Sequence, residues 1–257
     1  EAIEAALRPH TRLVSVMAVN NEVGTVQPLT AIGGLARAHG ALFHCDAAQA
    51  AGRIALDVQR DGIDLLSLSA HKLYGPKGVG ALYVRRRTPL AAQLTGGGQE
   101  GALRPGTLNV PGIVGLGEAA RLAAEGMADE TARQGALRDD LLRRLEAGLG
   151  PVALHGCRTH RVAGNLSLTI PGVKGGDLLA ALPEIAMSAG SACMSAKGGA
   201  ASPVLRAINV PEAQAAASLR IGLGRFTTEA EVVVAAERIV AAALRLRRRG
   251  RAKSCRA

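Results

Sequence analysis

Tryptophan is absent from this 257-residue chain, and aromatic residues of every kind make up only 2% of it. Reading single-stranded nucleic acid by base stacking needs an aromatic platform, so specific recognition of that kind is not expected. With so few rings, the core has to be assembled from Ala, Val, Leu and Ile. Long apolar runs are missing too: none reaches the roughly 18 residues a membrane-spanning helix requires. The four cysteines, Cys45, Cys157, Cys193 and Cys255, include no CxxC pair, which disfavours an intrinsic metal site. No secretory signal pattern is visible. A cytoplasmic setting with free thiols is therefore expected.

Charge of one sign is in excess, but unevenly. Lys and Arg number 31 against 21 Asp and Glu, a net charge of +10. Seven of the basic residues crowd into 245–256, "RLRRRGRAKSCR", which holds no acid. That segment reads as a solvated helix end followed by a basic tail, with 250–257 expected to be disordered. Without it the body is only mildly basic. A hydrophobic content of 48% excludes a disordered chain. The first residues, "EAIEAALRPH", lack an initiator Met and already look helical, so the chain is expected to begin inside a domain.

Apolar runs at 13–19, 41–45, 64–69 and 80–86 predict strands, and 29–39 predicts a helix that Gly40 stops. Strands alternating with helices predict an α/β fold, a mostly parallel sheet with helices on both faces. The segment 110–150 predicts one long or broken helix. Beyond it, strands at 165–170 and 218–224 and helices at 176–182, 202–208 and 228–249 predict a smaller α+β domain. The expected organisation is a partial large domain over 1–124, a small domain over 125–249 and the tail.

Parallel sheets bind ligands beyond the carboxyl ends of their strands. Asn20-Asn21, Asp46 and His71-Lys72 all fall at such ends. Lys72 sits in "SAHKLYGPKGVG" (69–80), between a buried strand and a glycine-rich turn. A lysine held there is either a solvated charge or a nucleophile for Schiff-base chemistry, and the latter requires an amine able to lose its proton. Asp46, at the neighbouring strand end, could hold a proton on a pyridine nitrogen. Cys45 faces the other side of its strand and is expected to pack. His10, His39, His155 and His160 are expected on the surface.

The segments "HCDAAQ" (44–49) and "SLSAHKLYGPKGVGALYVRR" (67–86) resemble the class V aminotransferase fold of pyridoxal-phosphate enzymes, and within it the cysteine desulfurases. "NNEVGTVQP" (20–28), "GGGQEGALRPGTLNV" (96–110), "SAGSACMSAKGGAASPVLRAI" (188–208) and "SLRIGLGRFTTEAEV" (218–232) carry the same resemblance. It implies PLP-dependent transferase fold type I, with pyridoxal 5'-phosphate as cofactor and L-cysteine as substrate. Lys72 would bind the cofactor covalently and Asp46 would pair with its ring nitrogen. Gln49 and Asn21 would bond its phenolic oxygen, and Ser69 and His71 its phosphate. Thr107 would reach the phosphate in a partner subunit, which implies a homodimer. Arg220, with Asn21, would hold the substrate, and Cys193 would receive its sulfur.

The resemblance further implies a sulfur acceptor, an iron–sulfur scaffold or a tRNA-thiolation protein, and transient ligation of a partner's cluster by Cys193. The family carries a phosphate-binding turn and a ring-stacking histidine upstream of the segment matched by Glu1. The chain is thus expected to be a C-terminal portion whose sheet lacks strands and exposes apolar edges. Other readings stay open: a selenocysteine lyase, an aminotransferase that needs no thiol at Cys193, an inactive protomer that docks a partner, or salt-dependent nucleic-acid binding by the tail.

Overall fold

The computed structural model describes residues 1–188 and 202–254, with side chains to residue 250. Contacts divide the chain into two compact units. The first comprises Glu1–Val19 and Gln27–Met127; the second comprises Asn20–Val26 and Ala128–Ala257.

In the first unit a short helix, α1 (Ala2–Ala6), precedes four strands: β1 (Leu13–Met17), β2 (Leu42–Asp46), β3 (Leu65–Ser69) and β4 (Gly80–Val84). They form one sheet in the order β1-β2-β3-β4. The first three are mutually parallel, while β4 returns antiparallel to β3. The direction of β4 follows from its connection: residues 70–79 form a turn too short for the crossover that a parallel neighbour needs. The expected α/β, mostly parallel sheet is present. On β1, at the sheet edge, Leu13 and Met17 are exposed.

Helix α2 (Leu29–Ala38) is the crossover from β1 to β2. It buries Leu29, Ile32, Gly33 and Ala36, one stripe at helical spacing. Gly40, at φ +74°, supplies the left-handed residue after the helix end. Beneath α2 the burial on β2 alternates, with Phe43 and Cys45 fully enclosed and His44 and Asp46 half-buried. Gly33 sets how close the helix comes: a Cβ there would lie 2.0 Å from the Asp61 carbonyl oxygen. The Asp61 carboxylate is fixed in turn by Thr30 Oγ1, which donates to it at 2.7 Å, and by Arg60 at 2.8 Å.

Helix α3 (Val110–Leu149) is a single helix, and its residues pass from the first unit to the second after Met127. The second unit has its own sheet, β5 (Ala153–Leu154), β6 (Asn165–Thr169), β7 (Met187–Ser188) and β8 (Ser218–Gly222). Its order is β5-β6-β8-β7 and every pairing is antiparallel. Among the described residues this unit also has the helices α4 (Gly175–Ala181), α5 (Pro203–Ala207), α6 (Glu212–Ala216) and α7 (Glu229–Ser254). The core joins Leu141 and Leu145 of α3, Leu166 and Leu168 of β6, and Ile239 and Ala243 of α7. Aliphatic residues alone fill it, as the scarcity of aromatics requires. Helix α7 continues past Gly250 into the basic run.

His155, expected on the surface, is instead 3% exposed. Its Nε2 lies 2.8 Å from Thr169 Oγ1 and 3.0 Å from Ser218 Oγ. The register explains this, because Thr169 on β6 pairs with Ser218 on β8 and the two hydroxyls meet at one imidazole. Burial, with the charge of Arg161 second, holds the ring's pKa below its ordinary value, so it stays neutral. Among the described residues no helix is long and apolar enough to cross a membrane, and no group of three His, Cys, Asp or Glu side chains is placed to hold a metal.

The contact at Gly33 carries a prediction. Gly33→Ala should destabilise the first unit by about 1–3 kcal/mol, because the overlap can be relieved only by moving α2 off the Asp61 loop. The neighbouring Gly34→Ala, which meets nothing within 4 Å, should not lower stability. Urea unfolding of both variants, followed by circular dichroism, checks this; equal midpoints for the two would contradict the packing.

Candidate active site

The site in the first unit starts from strand register. Between β2 and β3, His44 pairs with Leu65 and Asp46 pairs with Ser67. Side chains alternate along a strand, so His44, Asp46, Ser67 and Ser69 share one face of the sheet. The hydrogen bonds agree. His44 Nδ1 lies 2.7 Å from Ser15 Oγ on β1, and its Nε2 lies 2.8 Å from Ser67 Oγ on β3. That imidazole ties three adjacent strands together immediately before the carboxylate. Asp46 closes the strand. Its Oδ1 accepts the Ala48 N–H at 2.9 Å, the local turn that Asp favours at a strand exit. The backbone ladder continues one step further, with the Ala18 N–H donating to the Asp46 carbonyl and the Ala47 N–H to the Ser67 carbonyl.

At the end of β3 the chain tightens into a 3-10 turn, Ala70–Lys72. Ser69 Oγ and His71 Nδ1 lie 2.9 Å apart, which makes a paired hydroxyl and imidazole. Lys72 follows at once and is half-buried. The turn is closed by the Ala70 N–H donating to the Val79 carbonyl at 3.1 Å and the Gly75 N–H donating to the Ala70 carbonyl at 2.9 Å. Gly80 is required where β4 begins, since a Cβ would lie 2.5 Å from the Leu68 carbonyl oxygen. Tyr74 adopts φ 68°, a left-handed conformation that bulky residues rarely take and that clusters at functional sites.

Arg53 was not among the sequence candidates. Its Nη1 donates to Gln49 Oε1 at 2.7 Å, and its Nη2 donates to the Lys72 carbonyl at 3.2 Å. One guanidinium thus orients the Gln49 amide and fixes the backbone that carries Lys72. The spacing of four residues from Gln49 was the signal available in the sequence. The second link, from residue 53 to 72, has no local signature.

Five expected residues therefore belong to one edge of the first sheet: Asp46, Gln49, Ser69, His71 and Lys72. Thr107 is exposed, on the segment leading into α3. Asn21 and Arg220 are in the second unit, where Arg220 Nη1 donates to the Asn21 carbonyl at 2.9 Å. The loop of Asn21 is fastened within that unit by the Thr25–Arg161 bridge and by the Val26 N–H donating to the His160 carbonyl at 2.9 Å. Its position in the sequence, between β1 and α2, suggested the large domain instead; these pairings place it with the second sheet. Cys193 lies outside the described residues, as does Cys255.

Residues 1–234 match the family described as Aminotransferase class-V. Cysteine desulfurase IscS from Anaeromyxobacter sp. (strain Fw109-5) is 54% identical over 232 residues, covering 90% of this chain and 57% of that protein. Among solved structures, a NifS-like protein superposes with a TM-score of 0.83 at 33% identity, over 93% of this chain and 63% of that one. SspA, solved in complex with cysteine, superposes with a TM-score of 0.71 at 35% identity, over 88% of this chain and 63% of that one. The chain thus spans less than two thirds of the length of each.

Two thiols lie among the described residues, in opposite environments. Cys45 is fully enclosed, and burial, reinforced by Asp46 and Asp61, pushes its pKa up to about 12. It is a packing residue, as its place in the strand alternation suggested. Cys157 Sγ lies 3.5 Å from Thr159 Oγ1 and accepts the His160 N–H at 3.3 Å, and these contacts lower its pKa. A thiolate is the alkylated species, so the two should separate by pH. In iodoacetamide at pH 8, the Cys157 peptide should be modified within minutes while Cys45 stays unmodified until denaturant is added. Peptide mass spectrometry reads both; early labelling of Cys45 would show that the strand does not enclose it.

Proposed function

The chain belongs to the class V aminotransferase family, and on that premise we propose that the protein is a pyridoxal-phosphate-dependent cysteine desulfurase. It would take sulfur from L-cysteine, release L-alanine and hold the sulfur as a persulfide on Cys193. The observation that carries the reading is the β2–β3 register, which sets Asp46 beside Ser67 and leads Ser69, His71 and Lys72 off the same edge. Its support from outside the chain is the likeness to a named cysteine desulfurase and to a protein solved with cysteine.

The donor set fits the cofactor. A paired hydroxyl and imidazole, Ser69 with His71, suits a phosphate. A carboxylate, Asp46, suits a protonated pyridine nitrogen, and Gln49, steadied by Arg53, suits the phenolic oxygen. Lys72 supplies the amine for covalent attachment. Bound there, pyridoxal phosphate supplies an electron-withdrawing ring that makes the α-hydrogen of a bound amino acid labile.

The chain's own residues do the rest. Asp46 keeps a proton on the ring nitrogen. Arg220 grips the substrate carboxylate, a planar task that suits a guanidinium, and Asn21 assists. The Lys72 amine takes the α-proton and returns a proton to carbon. The Cys193 thiolate attacks the substrate sulfur. An S–S bond forms, the C–S bond breaks, and its electron pair stays with the substrate carbon, which is protonated to give alanine. No external oxidant is needed. In the same reading the first unit is the cofactor-binding part and the second the substrate part. Thr107 serves the cofactor of a second copy, the setting is cytoplasmic, and the persulfide passes to an iron–sulfur scaffold or a tRNA-thiolation protein.

Two variants test this. Incubation with pyridoxal phosphate followed by borohydride should place a stable label on the Lys72 peptide, and Lys72→Ala should reduce labelling to background. Label scattered over many lysines would sink the assignment. Cys193→Ala should keep the Lys72 label but lose sulfide release from L-cysteine by about a hundredfold or more, since the nucleophile is gone. A Cys193→Ala protein with full activity would instead indicate an aminotransferase.

A further inference from the structure

Arg53 bonds two loops that the proposed chemistry uses together. Its Nη1 donates to Gln49 Oε1 at 2.7 Å, on the loop after β2. Its Nη2 donates to the Lys72 carbonyl at 3.2 Å, on the turn after β3. The side chain is half-buried, and burial lowers its pKa while Tyr74 opposes the change. It stays a cation at neutral pH, because a guanidinium does not lose its proton in proteins. The loop that carries it is held by its own backbone, with the Arg53 N–H donating to the Ala50 carbonyl at 2.9 Å and the Ala51 N–H to the Ala47 carbonyl at 2.9 Å. Gly52 seats that loop against α3: its φ is +70°, and a Cβ there would lie 2.7 Å from the Ala123 Cβ.

A primary amide has one accepting end and one donating end, whereas a guanidinium only donates. The Gln49 atom that faces Arg53 is therefore Oε1 on chemical grounds. Nε2, with its two hydrogens, is left for a different partner, and that partner has to be an acceptor. The same guanidinium sets the Gln49 amide relative to the backbone of Lys72. On pyridoxal phosphate, the phenolic oxygen and the carbon that a lysine amine attacks sit on adjacent ring atoms. A donor and an amine that serve neighbouring substituents have to be held in mutual register, and Arg53 bonds the carriers of both.

We infer, on the premise that this site holds pyridoxal phosphate, that Arg53 is a positioning residue: it fixes Gln49 as a donor, through Nε2, to the phenolic oxygen and so favours that oxygen in its ionised form. A hydrogen bond to the charged form of a group favours that form. Without Arg53 the Gln49 amide is free to turn its Oε1 toward the phenolic oxygen, and an acceptor there disfavours the anion. The phenolic oxygen shares a proton with the nitrogen that links a lysine to the cofactor. Stabilising the oxygen's anion lets that proton leave at lower pH. Arg53 thus acts on the cofactor through Gln49 and does not itself touch the reacting atoms.

The test is a pH titration of the visible absorbance of the bound cofactor, in the chain reconstituted with pyridoxal phosphate. Borohydride labelling of Lys72 reads attachment in parallel. Arg53→Met, similar in length and unable to donate, should keep the Lys72 label and raise the titration midpoint by roughly 0.5–1 pH unit, the effect of one lost hydrogen bond. Arg53→Lys, again a donor only, should return the midpoint toward that of the unsubstituted chain. Gln49→Leu should raise it by a similar amount, and adding Arg53→Met to that variant should move it no further, because both changes remove the same donor. If circular dichroism shows Arg53→Met unfolded, Arg53→Gln carries the same expectation of a raised midpoint, since an amide can meet either end of Gln49. A labelled Arg53→Met or Arg53→Gln protein with an unmoved midpoint, or additive shifts in the double variant, would overturn the role of Arg53 and leave the functional reading standing. Absence of the Lys72 label from the unsubstituted chain would overturn both.

Discussion

The parallel pairing of β2 with β3 is the constraint on which the rest of the first unit depends. Shifting either strand by one residue would turn Asp46 and Ser69 to the opposite face and bring Cys45 out of the core. Several contacts hold the register. Phe43 and Cys45 are enclosed on one face, and the His44 imidazole links Ser15 and Ser67 on the other. Backbone bonds from Ala18 and Ala47 carry the ladder past the strand ends. The approach of α2 at Gly33 covers the sheet at a distance that a side chain would not allow. Polar groups can then stand at the strand ends because the apolar face beneath them is already sealed.

The second unit solves a different problem. Its core is aliphatic, yet it encloses His155, Arg161, Asn165, Ser167, Thr169 and Ser218. Most of this polar set is tied into the β6–β8 pairing or to the loop 20–26. Asn165 Nδ2 donates to the Glu22 carbonyl, and Arg161 bridges the Val23 and His155 carbonyls. A segment distant in sequence is thereby fixed by side chains of the second sheet, and the Asn21 carbonyl becomes an acceptor for Arg220. Arg161 contributes Nη2 to this framework, while its Nε and Nη1 are buried without a partner among the described residues.

Much of this was legible from residue patterns. The strands at 13–17, 42–46, 65–69 and 80–84 are short apolar runs closed by polar residues or glycine, and each lies where the pattern put it. The helix over 110–149 follows from its helical spacing, while its six glycines left open whether it was one long helix or a broken one; the structure has one. The two-residue strands β5 and β7 were not legible, because a pair of residues carries no period. The burial of His155 was hidden for a related reason: its partners, Thr169 and Ser218, are remote in sequence and meet only through register. Arg53 illustrates both cases, since its bond to Gln49 is local and its bond to Lys72 is not.

The sequence by itself determined the family, the succession of elements and the identities of the chemically able residues, because these depend on local spacing and on motifs read in order. Tertiary structure alone decided which residues share an edge, that residues 20–26 pack with the second sheet, that Cys45 is enclosed while Cys157 is hydrogen-bonded at the second unit's surface, and that Arg161 is buried. Burial and hydrogen bonding depend on neighbours far along the chain. They set the energy of a charge or a thiol, and no local pattern contains them.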